Sequence, residues 1–178
     1  MVAMVALLRG VNVGGRAKLA MAQLRDVVAD CGYAHARTYI QSGNVVFSAT
    51  GPTAAVARRL GEAISRATGL TPEVAVRTRR ELASVIDRNP FLRRGDDPAH
   101  LHVVFLPSGT CATLGAFDPA AYAPDQAVAG GDEIFLSLPG GVGRSKLAAD
   151  LARRSAAIGT MRNWRTVTKL LELLGELP

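Results

Sequence analysis

The chain has 178 residues, 48% of them hydrophobic and 20% charged, with a formal net charge of +6. That length buries a core without disulfides or metals, and that composition excludes disordered and fibrous classes. The longest apolar run, residues 1–8, ends at Arg9 and falls far short of the ~20 residues of a membrane span, so it reads as a strand and the protein as cytoplasmic.

Charge is unevenly spread. Arg9, Arg16, Lys18, Arg25, Arg37, Arg58 and Arg59 face only Asp26 and Asp30 within residues 1–61, a net of +5. Such a field attracts phosphates, nucleotides, carboxylates or nucleic acid. Cys31 and Cys111 form no metal-binding or redox spacing and read as buried free thiols.

Residues 4–9 predict a buried strand followed by a glycine-rich turn at 10–15. Met21, Leu24, Val27 and Val28 recur at helical spacing, predicting a helix over 20–31 that stops at Gly32. Residues 37–41 and 45–48 are strands joined by Ser42-Gly43-Asn44, a hairpin. Val56, Leu60 and Ile64 mark a helix ending at Gly69, residues 73–77 a strand, and 79–88 another helix. Arg93 to Pro98 forms a charged boundary. Beyond it come a strand at 101–106, a weak helix near 110–117, strands at 126–129 and 133–138 across Gly130-Gly131, and a helix over 145–154. A short extended piece near 157–159 and a helix over 163–174 complete the chain.

The order is β-α-β-β-α-β twice. It predicts an α+β fold, a tandem duplication of ferredoxin-like halves with antiparallel sheets, residues 1–92 and 99–178, the second carrying an added C-terminal helix.

Two loops carry the strongest hint of binding. Arg9 to Lys18, with Asn12, Gly14, Gly15 and Arg16, joins a strand to a helix, where glycines admit close backbone approach and a helix N-terminus favours anions. It has neither Walker A nor dinucleotide-binding spacing, and a ligand-free tight turn explains it equally well. Residues 139–147 contain Arg144, Ser145 and Lys146, with Ser145 placed to cap a helix. Gly-Arg-Ala-Lys-Leu at 15–19 and Gly-Arg-Ser-Lys-Leu at 143–147 echo each other, and two of the three lysines, Lys18 and Lys146, lie there, the third being Lys169. The turn with Gln41, Ser42 and Asn44 offers amides and a hydroxyl, although it is also a good turn sequence. Trp164 shares an apolar helix face with Val167 and Leu171, which predicts burial, and Asn163 is placed to cap that helix. Arg162, a cation at a helix N-terminus, opposes the dipole and so reads as functional.

The segments Leu7-Leu8-Arg9-Gly10-Val11-Asn12-Val13-Gly14-Gly15, Thr38-Tyr39-Ile40-Gln41-Ser42-Gly43-Asn44-Val45, Asn89-Pro90-Phe91, Gly143-Arg144-Ser145-Lys146-Leu147 and Thr160-Met161-Arg162-Asn163-Trp164-Arg165-Thr166-Val167 resemble family 1697 of the domains of unknown function, across nearly the whole chain. Met161 departs from the family's pattern, in which a second threonine is common. The resemblance implies a fold and no activity.

The expectation is therefore an anion-binding protein whose ligand, a phosphate-bearing small molecule or nucleotide in preference to nucleic acid, sits in one groove bordered by Lys18 and Lys146, with Arg162 and the 41–44 turn on its rim. RNA binding is the second reading, with Tyr39 and Phe47 as stacking residues. A transferase or hydrolase using lysine or histidine as base is the third. The sequence names no cofactor. His100 and His102 lack a third ligand of suitable spacing, so no metal site is expected, and no acid lies between Asp30 and Glu62 or in either glycine-rich loop to supply a carboxylate pair.

Overall fold

Strand β1 (Val2–Leu8) is buried on both faces, because its alternate side chains serve two different cores. Met4, Ala6 and Leu8 face one, Val5 and Leu7 the other. The computed structural model describes residues 1–12, 18–115, 117–154 and 159–178.

In the first half α1 (Met21–Asp30), β2 (Ala34–Tyr39), β3 (Asn44–Ala49), α2 (Thr53–Thr68) and β4 (Val74–Thr78) follow β1. The four strands form an antiparallel sheet in the order β2-β3-β1-β4. Leu24, Val27 and Val28 of α1, and Val56, Leu60 and Ile64 of α2, cover one face of this sheet against Phe47 and Val76. The helix α2 ends where Gly69 turns left-handed, at φ 72°, as the sequence predicts. The next helix, α3 (Arg79–Arg88), opens with a reciprocal capping box between Thr78 and Glu81. A short helix, α4 (Pro90–Arg94), follows; the sequence reading missed it, although Asn89 caps it and Pro90 starts it.

The second sheet, also antiparallel, contains β5 (Leu101–Phe105), β6 (Gln126–Gly130), β7 (Glu133–Ser137) and β8 (Thr160–Asn163) in the order β6-β7-β5-β8. In both sheets the first strand thus lies between the third and the fourth. Leu147, Ala148 and Leu151 of α5 (Lys146–Arg154) cover the outer face of the second sheet. The two sheets bury their other faces in one shared core. Val5, Leu7 and Val46 meet Val103, Phe105 and Phe135 there, together with Leu82 of α3 and Trp164, Val167 and Leu170 of α6 (Trp164–Gly175). Trp164 is buried, as its helical spacing predicts.

Two elements differ from expectation. No α-helix forms at the described residues of 110–117; a single 3-10 turn, Pro119–Tyr122, replaces it. Gly109 and Gly115, both at positive φ, break any helical run there. The final strand lies at Thr160–Asn163, whereas the sequence placed an extended piece at 157–159. Residues 155–158 lie outside the described residues.

Candidate functional site

That shift of the last strand changes the reading of Arg162. It pairs with Val103 in the register of β5 and β8, points between the sheets and is 8% exposed. Its Nε donates to Asn44 Oδ1 at 2.5 Å, and Nη1 donates to Thr160 Oγ1 at 2.6 Å and to the Met161 carbonyl at 2.8 Å. Its Nη2 reaches the carbonyls of Leu8 at 2.8 Å and Ser42 at 2.9 Å. A guanidinium has five N–H donors, and these acceptors engage all of them. Every acceptor is neutral. Burial pushes its pKa down to about 10. Asn163 caps α6, its side chain accepting from the Thr166 N–H, and Arg162 directly precedes that cap in β8, where its bonds to the other half give it the structural role that the dipole argument did not consider.

Sequence reading missed a second arginine with matching contacts. Arg77 of β4 pairs with Val5 and is 3% exposed. Its Nε donates to Glu133 Oε1 at 2.8 Å, Nη1 to the Val76 carbonyl at 2.9 Å, and Nη2 to the carbonyls of Leu106 at 2.9 Å and Asp132 at 3.2 Å. Each arginine therefore clamps the first and third strands of the other half. They differ in that Arg77 meets a carboxylate, shared with Arg88, where Arg162 meets an amide and, in addition, the Thr160 hydroxyl. An arginine at the end of an otherwise apolar run, Val74-Ala75-Val76-Arg77, was the signal available in the sequence.

A cavity of about 320 Å³ lies beside the Arg162 clamp. Arg9, Gly10, Val11 and Ser42 line it from the first half, and Gly159, Thr160, Met161 and Arg162 from the second. Val104, Ile134 and Leu151 add apolar wall. Arg9 spans the mouth, with Nη1 3.4 Å from Glu73 and Nη2 3.4 Å from the Ala152 carbonyl. Asn12, left-handed at φ 57°, closes its loop through Leu19 and donates to the Gln41 carbonyl at 2.8 Å, which ties the first loop to the hairpin turn. Asn44 holds that turn by donating to Tyr39 O at 3.1 Å and Ser42 Oγ at 2.8 Å. The first loop and the hairpin turn are thus neighbours.

Among the described residues, the structure does not bring the two glycine-rich loops together. The Leu138 N–H donates to the His100 carbonyl at 3.0 Å, so residues 139–145 leave the second sheet where β5 begins. Leu8 accepts from Thr160, which pairs with Phe105 where β5 ends. The points at which the described chain enters the two loops thus lie at opposite ends of β5, about 13 Å apart at 3.3 Å per residue. Lys18 and Lys146 are both exposed, and neither lines the cavity. The common Lys18–Lys146 groove is therefore corrected, and the matching pentapeptides carry no shared site. Ser145 caps α5, accepting from the Ala148 N–H at 2.9 Å, and Arg144 and Lys146 stand exposed at the same end. Gly14, Gly15 and Arg16 lie outside the described residues.

The stacking surface of the RNA reading is also absent from the first sheet. Phe47 is fully buried under the helices, stacked on Tyr33, and Tyr39 packs into the core between the sheets. Part of the positive N-terminal field is balanced from elsewhere: Arg9 meets Glu73, Arg37 meets Glu176 and Arg58 meets Glu62. Of the two free cysteines, Cys31 is buried as expected and Cys111 is exposed. Among the described residues no helix is long and apolar enough to cross a membrane.

No curated protein matches the chain. Its backbone is similar to that of the conserved bacterial protein SP0830 from Streptococcus pneumoniae, with a TM-score of 0.80 and 21% identity over 97% of this chain and 98% of that one. That likeness is one of fold. A family described as protein of unknown function (DUF1697) matches residues 1–135, which contain the first loop, the hairpin turn and Asn89-Pro90-Phe91 and stop short of the segments at 143–147 and 160–167. By that match over most of its length, the chain belongs to the DUF1697 family.

Proposed function

We propose that the protein binds a small anionic ligand in the cavity beside Arg162, between two ferredoxin-like halves, residues 1–92 and 99–178, that arose by tandem duplication. The duplication is supported by the equal strand order of the two sheets and by the matching contacts of Arg77 and Arg162.

One observation carries the ligand reading: two clamps of the same geometry differ in their internal counter-charge. Arg77 is neutralised by Glu133, whereas Arg162 has no carboxylate partner among the described residues and borders a cavity. A buried cation without a counter-ion is costly, and an anion in the adjoining space recovers much of that cost. The site consists of Arg9, Asn12, Gln41, Ser42, Asn44 and Arg162; Arg144, Ser145, Lys146 and Asn163 fall outside it.

The test is thermal unfolding with a panel of anions at fixed ionic strength. A ligand at a hundred times its Kd adds about 2.7 kcal/mol of stability. Asn44→Asp places a carboxylate where Glu133 stands in the other clamp, and it should abolish that stabilisation while leaving the protein folded. The reading fails when no anion stabilises the wild type saturably.

A further inference from the structure

We propose that the ligand of this cavity is a monocarboxylate with a hydrocarbon body, an inference that rests on the anion reading above and narrows its chemistry. The geometry supplies one uncompensated charge. Among the described residues, Arg162 is the cation without a carboxylate partner at the site, while Arg9, which also lines the cavity, faces Glu73. A nucleotide or sugar phosphate brings two to four negative charges into such a space and needs a matching set of cations. A carboxylate brings one.

The walls argue the same way. Leu8, Val11, Val104, Ile134, Leu151 and Met161 contribute apolar side chains from both halves, which is ample surface for methylene or aryl groups and gives a phosphate nothing to bond. Polar donors of the first half lie beside Arg162. Ser42 Oγ accepts from Asn44, which leaves its own proton to donate. The N–H groups of Gly10 and Val11 have no acceptor among the described residues, and Gly10 is left-handed at φ 72°. Successive free backbone N–H groups around such a residue form an anion-binding concavity. A carboxylate held by this end, near the Arg162 charge, directs its hydrocarbon portion along the apolar wall toward Leu151 and Met161.

Calorimetric titration of the wild-type chain with acetate, butanoate, hexanoate and phenylacetate tests this, with hexanamide, inorganic phosphate and ATP titrated at the same ionic strength. Affinity should rise about fourfold per added methylene until the cavity is full, the fold-change equivalent of its burial. Hexanamide should bind at least tenfold more weakly than hexanoate. Saturable binding of phosphate or ATP with none of the carboxylates overturns the ligand class and leaves the anion reading standing. Hexanamide binding as tightly as hexanoate removes the role of charge and overturns both. No binding by any compound overturns both as well. Met161→Trp, whose side chain fills the outer wall while the backbone carbonyl that Arg162 bonds is retained, should weaken hexanoate more than acetate; equal weakening of the two contradicts the placement of the hydrocarbon portion.

Discussion

Arg77 and Arg162 make matching contacts from opposite halves of the molecule. Each occupies the fourth strand of its sheet, opposite Val5 and Val103 respectively, and each reaches across to the residue that opens the third strand of the other sheet, Glu133 or Asn44. Leu8 and Leu106, whose carbonyls receive the Nη2 groups, donate in turn to Gly43 and Asp132 at 2.8 and 2.9 Å. The halves are thus joined by two reciprocal clamps as well as by a shared apolar core.

Glu133→Gln leaves Arg77 buried with no counter-charge among the described residues and deprives Arg88 of its carboxylate partner. Removing one member of a buried pair costs about 3 to 5 kcal/mol. Urea unfolding should show a loss of about that size, whereas Asn44→Asp, which gains a charge pair but loses its bonds to Tyr39 and Ser42, should shift stability by no more than about 1 kcal/mol.

Ile40 is left-handed at φ 48° and 51% exposed, an unusual state for a β-branched residue. It lies in the turn that Asn12 ties to the first loop. Ile40→Asn relieves the backbone at little loss of burial and should raise stability by about 1 kcal/mol, read from the urea midpoint. An unchanged or lowered midpoint contradicts the strain.

Burial lowers the pKa of His102 below its usual 6.5. The unfolded chain therefore takes up the proton first as pH falls, so stability declines from about pH 6.5 downward until the folded histidine also titrates. Unfolding curves between pH 5 and 8 check this; in His102→Gln that part of the dependence should disappear.

Cys111 is exposed and Cys31 is buried, with its thiol pKa raised by that burial. A thiol reagent at neutral pH should modify Cys111 rapidly and Cys31 only on unfolding. Two equally fast cysteines contradict the packing of α1.

Local signals made the elements legible. The continuous burial of β1, the Val56, Leu60 and Ile64 stripe of α2, the Gly69 stop and the span of α3 all follow from side-chain composition, spacing and chain-end chemistry acting within a few residues. The two antiparallel sheets followed from the order of those elements. The site did not. Thr160–Asn163 becomes a strand because β5 offers it an edge, a long-range pairing with no local signature, and the misplacement of that strand turned Arg162 from a clamp into an apparent helix-start cation. Likewise, Lys18 and Lys146 share a local pattern, but strand direction carries their loops to opposite ends of β5. Sequence determined which segments are strands and helices and which faces are apolar, since those are properties of neighbouring residues. Only the tertiary structure decided that Asn44 meets Arg162 while Glu133 meets Arg77, because partners 118 and 56 residues apart are chosen by how the two sheets pack.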